Sequence, residues 1–441
     1  MRSAGGVRKE RRLMKKKFVS LLVAGVMVSA MLAGCGSSKA ASKAESAAAE
    51  AKSEVEEAVS EAEEAAEEAV SEAEETAEEA VSEAEEVVEA ATEEASAEEA
   101  PEADASYSFA INTFGAGAYP LDEIVVHEER LAGFTGVSLD KVDNQFTADV
   151  VVSQLDGQLA NQPDAVVAQL MAATTFAPVI EKCIDAGVVL AFDSNFPAEA
   201  EEEICRNYEN FAGGFSSNPY DMGVQMAEIA WEDGNKSAII LGAAVGDYSH
   251  DNRQLGFTDK FEELGGEVLQ VQHCSDPSEA VTKGNDLLTA QPDADCIYCS
   301  GGDYVAGACS IKTQKGLDIK IYGTDVNPEY FDETAEGIIN GVNGGQGVCG
   351  SLAMCLAINL LDGHKIVDAD GNVPLFDNLQ VFVTTPENAE QFTDLYADGT
   401  KLITDEEYQN LLWRYNPDVT IDTYNEFLEH YGDNVCARIA E

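Results

Sequence analysis

Polar side chains directly follow most of the β-like segments of this 441-residue chain. A carboxylate accepts hydrogen bonds from two hydroxyl groups and a guanidinium donates a fixed fork, so these residue types suit a polyhydroxylated ligand. Nearby aromatic side chains offer flat faces for a sugar ring. The candidates are Phe114, Tyr119, Asn144, Asp193, Asn195, Asn218, Arg253, Asp303 and Asp325. Taken singly, each of them also fits an ordinary turn or core residue.

Three other patterns carry weaker chemical signals. Cys296 and Cys299 form a CxxC pair, but they lie in a strand-like run where positions i and i+3 point to opposite faces. Gly345, Gly347 and Gly350 match a dinucleotide fingerprint, yet a short βα turn explains them equally well. The five histidines show no metal-binding spacing. We therefore predict no catalytic residue, no cofactor and no metal ion.

Short strand-like runs alternate with amphipathic segments from Tyr107 onward, which predicts parallel sheets covered by helices on both faces. A body of about 335 residues exceeds one comfortable core, so two α/β lobes are expected. The predicted strands are 107–112, 164–168, 187–193, 237–242, 267–272, 296–300 and 319–324. The predicted helices are 148–159, 178–186, 221–233, 256–264, 278–289, 304–314 and 351–361. Ligands of such sheets bind beyond the carboxyl ends of the strands, where the polar candidates lie.

The amino-terminal segment resembles a bacterial lipoprotein signal. Three lysines precede an apolar run over 18–31 that is too short to span a bilayer stably, and Leu32, Ala33 and Gly34 precede Cys35. This predicts a signal peptide over 1–34 and lipidation at Cys35, with two acyl chains holding the protein outside the cytoplasmic membrane. A signal peptide cut elsewhere and an uncleaved anchor are the alternatives.

Residues 35–105 read as a lipidated tether followed by an acidic spacer. Positions 45–104 are almost entirely Ala, Glu, Ser and Val, and the triplet Ala-Val-Ser recurs at 58–60, 69–71 and 80–82. The eleven-residue period fits a helix, and the glutamate density favours an extended, partly helical spacer over an oligomerising stalk. A net charge of −56 would repel phosphate backbones, so we expect no nucleic-acid partner and membrane contact only through the lipid.

Six segments in order resemble motifs of the type I periplasmic binding proteins, specifically the ribose/galactose-binding group. The resemblance covers most of residues 107–395 and departs from the family in the first loop, 114–120, in the loop 301–307 and after Asn388. The segments are Gly187-Val-Val-Leu-Ala-Phe-Asp193, Ser217-Asn-Pro-Tyr-Asp-Met-Gly223, Arg253-Gln-Leu-Gly-Phe257, Tyr322-Gly-Thr-Asp325, the stretch from Gly344 to Gly363, and Val383-Thr-Thr-Pro-Glu-Asn388.

The resemblance implies two doubly wound parallel-sheet lobes joined by a hinge. It implies that Asp193 and Asp325 bind sugar hydroxyls, that Arg253 pairs with the sugar, and that Gln346 lies near the family's crossover glutamine. We assign 106–215 with 346–380 to lobe 1, and 216–345 with 381–441 to lobe 2.

The function implied is that of an extracytoplasmic, lipid-anchored substrate-binding protein of an ABC importer. It would bind a sugar or sugar-like solute, deliver it to an ABC permease and catalyse no reaction. The alternatives are a ligand-presenting receptor subunit for a sensor kinase or chemoreceptor, a binder of a nucleoside or other small polar solute, and an extracellular enzyme on the same scaffold.

Overall fold

A computed structural model describes residues 106–116, 121–398 and 402–439 of the chain. All of these residues belong to one compact unit, Glu99–Glu441. The predicted signal peptide, the lipidation site Cys35, the acidic spacer and Tyr119 lie outside the described residues. In the part of the chain that is described, no helix is both long enough and apolar enough to cross a membrane.

Strands and helices alternate along the chain. The strands are β1 (Ser108–Thr113), β2 (Ser138–Asp143), β3 (Ala165–Gln169), β4 (Val189–Asp193), β5 (Phe211–Phe215), β6 (Ser237–Gly242), β7 (Glu267–His273), β8 (Cys296–Cys299), β9 (Lys320–Thr324), β10 (Gly341–Gly344), β11 (Leu375–Phe376) and β12 (Phe382–Thr384). The helices are α1 (Leu121–Thr135), α2 (Ala148–Ala160), α3 (Ala173–Ala186), α4 (Glu199–Arg206), α5 (Pro219–Glu232), α6 (Tyr248–Glu263), α7 (Ala280–Ala290), α8 (Gly302–Lys315), α9 (Phe331–Ala335), α10 (Cys349–Leu361), α11 (Ala389–Asp398), α12 (Asp405–Leu411) and α13 (Ile421–Ile439).

The strands form two six-stranded sheets. The first has the order β11-β5-β4-β3-β1-β2, and all of its neighbouring strands are parallel. The second has the order β12-β10-β9-β8-β6-β7 and is parallel except where β12 pairs antiparallel with β10. The predicted fold class, two parallel sheets with alternating helices, is confirmed.

Burial follows from the two-sided covering of each sheet. Every residue of β3, β4 and β8 is buried, as expected for parallel strands with helices on both faces. Cys296 packs with Met226 and Phe261 on one face of the second sheet, and Cys299 belongs to the core on the other face. The prediction that these two thiols point to opposite faces is confirmed, and both are free.

The chain passes between the two sheets at three crossovers. The first, 216–218, joins β5 to α5. The second, 345–348, joins β10 to α10, and the third, 377–381, joins β11 to β12. After the second crossover α10 packs on β4 and β5 of the first sheet. The predicted boundaries place β1 to β5 and β11 in lobe 1, and β6 to β10 and β12 in lobe 2; they stay a prediction.

The carboxy-terminal segment 402–439 contacts both lobes, although we place it with lobe 2 from the sequence. The Tyr408 hydroxyl donates to Ser351 Oγ in α10 at 2.9 Å, and Arg414 pairs with Asp362 at the end of that helix. The following helix, α13, packs against β12 of the second sheet. The segment therefore bridges the two sheets.

Candidate functional site

Most of the predicted site residues lie at or just beyond the carboxyl ends of strands in the two sheets. Asp193 is the last residue of β4, and Asn144 directly follows β2. In the second sheet Asp325 directly follows β9, and Gln346 lies just beyond β10. Glu123, in the first turn of α1, lies against Gly347 in the second crossover, next to Gln346.

The candidate residues on each sheet form one half-site, and Asp325 is the centre of the half-site on the second sheet. Its carboxylate accepts two hydrogen bonds from the Arg253 guanidinium, each 2.9 Å long, and both side chains are 8% exposed. Gln346 Nε2 donates to the same carboxylate at 2.6 Å. Arg253 Nη1 also donates to the Ser300 carbonyl oxygen at 3.0 Å. The two buried charges therefore compensate each other within the protein.

Close packing of α5 against α6 determines where Arg253 lies. A methyl group at Gly256 would overlap the Tyr220 carbonyl oxygen, and one at Gly223 would overlap the carbonyl oxygen of Arg253 itself. Because these two positions carry no side chain, the backbones of the two helices come into direct contact, a close approach that glycine permits. Both glycines belong to the motifs that carry the family resemblance, and here they set the position of the guanidinium.

The half-site on the first sheet differs because its carboxyl group has no basic partner. Asp193 is 1% exposed and accepts hydrogen bonds from Gln169 Nε2 at 3.2 Å and Ser194 Oγ at 2.9 Å. Burial raises the pKa of Asp193 to about 7, and the two hydrogen bonds oppose that shift. Burial, followed by the Asp193 charge, also raises the pKa of Glu128. Among the described residues no lysine or arginine forms an ion pair with either carboxyl.

Four buried polar atoms of the predicted site residues have no hydrogen-bond partner within the described chain. Three are acceptors and one is a donor. They are Oδ1 of Asn144, Oδ1 of Asn195, Oε1 of Gln346 and Nε of Arg253. The amide nitrogens of the three amides are already engaged with protein acceptors, so their orientations are fixed. Because buried polar atoms normally have partners, these four are candidates for ligand contacts.

The remaining predicted residues lie in varied places. Phe114 is half-buried after β1 and meets Phe146 edge to face, with ring centroids 5.9 Å apart. Asn218 lies in the first crossover, where its side chain caps α5 and donates to the Asp221 carboxylate at 2.7 Å. Asp303 is exposed in the first turn of α8. Asn218 thus has a structural role, whereas Phe114 offers an aromatic face at the edge of the first half-site.

The sequence analysis missed three residues that support the site. Gln169 holds Asp193 and also accepts from the Phe114 backbone N–H at 3.0 Å. Ser300 accepts from Arg253, and the Tyr330 hydroxyl donates to the Asp325 carbonyl oxygen. Gln169 is the last residue of β3, so the strand-end rule would have found it had the strand been extended by one residue.

A separate cavity of about 600 Å³ lies at the amino ends of strands in the first sheet, at the opposite end from the site residues described above. Its lining includes Pro163, Asp164, Gly187 and Asn210, at the amino ends of β3 and β4 and the loop before β5. Ligands of parallel sheets bind beyond the carboxyl ends of the strands, so this cavity is not part of the candidate site. Within the described ranges no group of three or more His, Cys, Asp or Glu side chains is placed to hold a metal ion.

The model of one known protein family, the periplasmic binding protein domain, matches residues 125–365. A comparison with curated proteins finds no match.

Solved structures share the fold at low sequence identity. A sugar ABC transport substrate-binding protein from Bordetella parapertussis is 17% identical with a TM-score of 0.57, covering 66% of this chain and 93% of its own. The arabinose transporter component from Shewanella sp. ANA-3, bound to α- and β-L-arabinofuranose, is 17% identical with a TM-score of 0.58, covering 66% and 96%. A solute-binding protein from Actinobacillus succinogenes with bound D-allose is 17% identical with a TM-score of 0.56, covering 65% and 99%. The family match and the shared fold confirm the resemblance that the ordered motifs predicted.

Proposed function

The chain belongs to the periplasmic binding protein domain family, and from this we propose that it binds a sugar or sugar-like polyol between its two lobes. The protein would be an extracytoplasmic, lipid-anchored component of an ABC importer and would pass the bound solute to the permease. Structural neighbours named as sugar transport proteins, two of them with bound L-arabinofuranose or D-allose, support the sugar class.

The balance of unpaired donors and acceptors is the observation that carries this proposal. Among the predicted site residues that the structure describes, the amide oxygens of Asn144, Asn195 and Gln346 lack donors, and Arg253 Nε lacks an acceptor. A carbohydrate matches this balance, because each of its hydroxyl groups donates one hydrogen bond and its ring oxygen only accepts. A ligand rich in acceptors, such as a carboxylate or a phosphate, would leave these oxygens unsatisfied at a cost of about 1–3 kcal/mol each.

Binding would proceed by closure of the lobes around the solute. Asp193 and Asn195 would approach the ligand from lobe 1, Arg253 from lobe 2, and Gln346 from the second crossover between them. A ligand stabilises the closed state only through its greater affinity for that state, and contacts from both lobes supply this difference. Arg253 is held by Asp325, so it presents its free Nε without reorganising.

A thermal-shift screen of the purified protein against sugars, polyols, nucleosides and amino acids tests the proposal. A ligand at about 100 times its Kd adds ~2.7 kcal/mol of stability, which gives a clear shift. Gln346→Ala should reduce the shift, while Gln314→Ala, at an exposed glutamine of α8, should preserve it in full. Shifts confined to nucleosides or amino acids would overturn the sugar assignment, and a shift that Gln346→Ala leaves undiminished would move the site elsewhere.

The lipid anchor has its own test, because it depends on residues 15–35 and not on the described structure. Cells fed labelled palmitate should incorporate the label into the wild-type protein and not into the Cys35→Ser variant. Equal labelling of the two proteins would refute lipidation at Cys35.

A further inference from the structure

The carboxy-terminal segment 402–439 lies outside the matched family domain, 125–365, and is firmly attached to α10 of lobe 1. Asn359 Nδ2 in α10 donates to the Leu411 carbonyl oxygen at 2.9 Å, and the Trp413 backbone N–H donates to Asn359 Oδ1 at 2.7 Å. Arg414 and Asp362 form an ion pair in which both side chains are fully buried. These contacts attach the end of α12 and the residues up to Arg414 to lobe 1.

Helix α13 carries two buried tyrosines seven residues apart, a spacing that places both on the same face of a helix. Both are 0% exposed. The Tyr424 hydroxyl donates to the Leu411 carbonyl oxygen at 2.9 Å, which is within the lobe 1 attachment. The Tyr431 hydroxyl donates at 3.0 Å to the carbonyl oxygen of Gly345, in the second crossover. The two tyrosine hydroxyls therefore bind different parts of the chain: that of Tyr424 binds the lobe 1 attachment, and that of Tyr431 binds the second crossover.

The Gly345 carbonyl belongs to the peptide group that leads directly into Gln346. Gly345 has a φ of 104°, a left-handed conformation that glycine adopts readily and other residues adopt rarely. As a glycine it also has more backbone freedom than any other residue would have. Rotation of this peptide would swing Gln346, whose Nε2 donates to Asp325 and whose Oε1 is one of the unpaired acceptors. A hydrogen bond to this carbonyl therefore restrains the peptide on the amino side of Gln346, in addition to the side-chain bond to Asp325 and the bond from the Cys349 backbone N–H to the Gln346 carbonyl oxygen.

The third crossover is bound to the same helix. The Gln380 backbone N–H donates to the Leu428 carbonyl oxygen at 3.1 Å, and the Asp433 backbone N–H donates to Gln380 Oε1 at 3.1 Å. Helix α13 therefore holds two of the three crossovers while its amino-terminal half rests on lobe 1.

We propose that Tyr431 is a positioning residue for the binding site: its hydroxyl fixes the Gly345 carbonyl and so holds Gln346 where the ligand meets it. This inference rests on the proposed function, because it treats Gln346 as a ligand contact. The carboxy-terminal helix then acts on binding through the crossover, without touching the ligand itself.

Hydrogen exchange in the unliganded protein tests the restraint directly, with Tyr431→Phe compared against Tyr424→Phe. Each substitution removes one buried hydroxyl from the same helix. Tyr431→Phe should speed exchange of the amides in 342–350 about fivefold, the effect of one net hydrogen bond. Tyr424→Phe should leave those amides unchanged. Equal rates in 342–350 for Tyr431→Phe and wild type, or equal acceleration by both variants, would overturn the proposal.

Affinity for D-allose and L-arabinose, measured by calorimetry in the same variants, tests the coupling to Gln346. Tyr431→Phe should weaken binding about fivefold in the wild-type background and have no further effect on Gln346→Ala, because the positioned group is gone. Losses that simply multiply would refute the route through Gln346. If neither these sugars nor any other carbohydrate binds the wild-type protein, the proposed function fails, whereas the exchange experiment still decides whether Tyr431 restrains the crossover.

Discussion

Replacing Asp193 by Asn should stabilise the unliganded protein at pH 8 and have little effect near pH 4. Burial raises the pKa of Asp193 from 3.8 to about 7, so the folded state favours the protonated carboxyl. Between those two pH values the native protein binds more protons than the unfolded chain. Stability therefore falls as the pH rises from about 4 to about 7, and the loss is complete above that range. Asn cannot ionise, so the variant escapes this loss.

The size of the effect follows from the pKa difference. A difference of about 3 units at 1.36 kcal/mol per unit gives about 4 kcal/mol at pH 8. The side chain is 1% exposed, so solvent screens little of it. Asn retains both hydrogen bonds, since its oxygen can accept from Gln169 and its amide can donate to the Ser194 hydroxyl. Loss of the Asp193 charge also relieves Glu128, whose pKa that charge helps to raise.

Thermal unfolding without ligand, at half-unit steps from pH 4 to pH 8.5, measures the effect. The Tm of Asp193→Asn should exceed that of the wild type by several degrees at pH 8, with the two curves converging near pH 4. Asp286→Asn, which removes an exposed carboxyl of α7, should follow the wild-type curve. If Asp193→Asn were destabilised equally at pH 5 and pH 8, the native carboxyl would be ionised and compensated, and the reasoning would be wrong.

Two further substitutions test how the half-site on the second sheet is built. Arg253→Ala should lower the free energy of unfolding, measured in urea, by about 3–5 kcal/mol because it leaves Asp325 buried and unpaired. The same variant should show no ligand-induced compaction in small-angle scattering. A double Arg253→Ala/Asp325→Ala variant that is no more stable than Arg253→Ala would contradict the stability argument. Gly256→Ala should cost more than about 2 kcal/mol because its methyl group would overlap the Tyr220 carbonyl oxygen. Gly133→Ala, in open space on α1, should be neutral or stabilising by about 0.5–1 kcal/mol, and similar losses for both alanines would refute the close-packing argument.

The strands buried on both faces were predictable because a continuous apolar run carries its own signal. Strand β6 was predicted with its observed bounds, and β4 with its carboxyl end correct at Asp193. Since ligands meet parallel sheets at those ends, the same rule also predicted Asp325 and Asn195, whereas Gln346 was predicted from the family resemblance. The type of a residue and its position along a strand depend on the neighbouring sequence, so local patterns suffice to predict them.

Elements with a weak local signal were missed. The sequence of β5 contains Gly213 and Gly214, which lower strand propensity and hid it from the sequence analysis. The structure requires both glycines, because a methyl group at Gly213 would overlap the Pro374 carbonyl oxygen and one at Gly214 would lie 2.7 Å from that of Phe192. Edge strand β2 was missed for another reason, since it is largely exposed and has little apolar content.

The sequence by itself determined the carboxyl ends of the strongly apolar strands to within one residue, and hence the fold class and many of the chemical types available for binding. Only the tertiary structure decided which of those residues act together. Arg253 and Asp325 are 72 positions apart, and Gly345 and Tyr431 are 86 apart. Helical and strand periodicities extend over a few residues, whereas such pairings depend on how whole helices pack across two sheets. For that reason Asp193 was recognisable from its strand, but its lack of a basic partner among the described residues and the hydrogen bond from α13 to the Gly345 carbonyl became visible only in the folded protein.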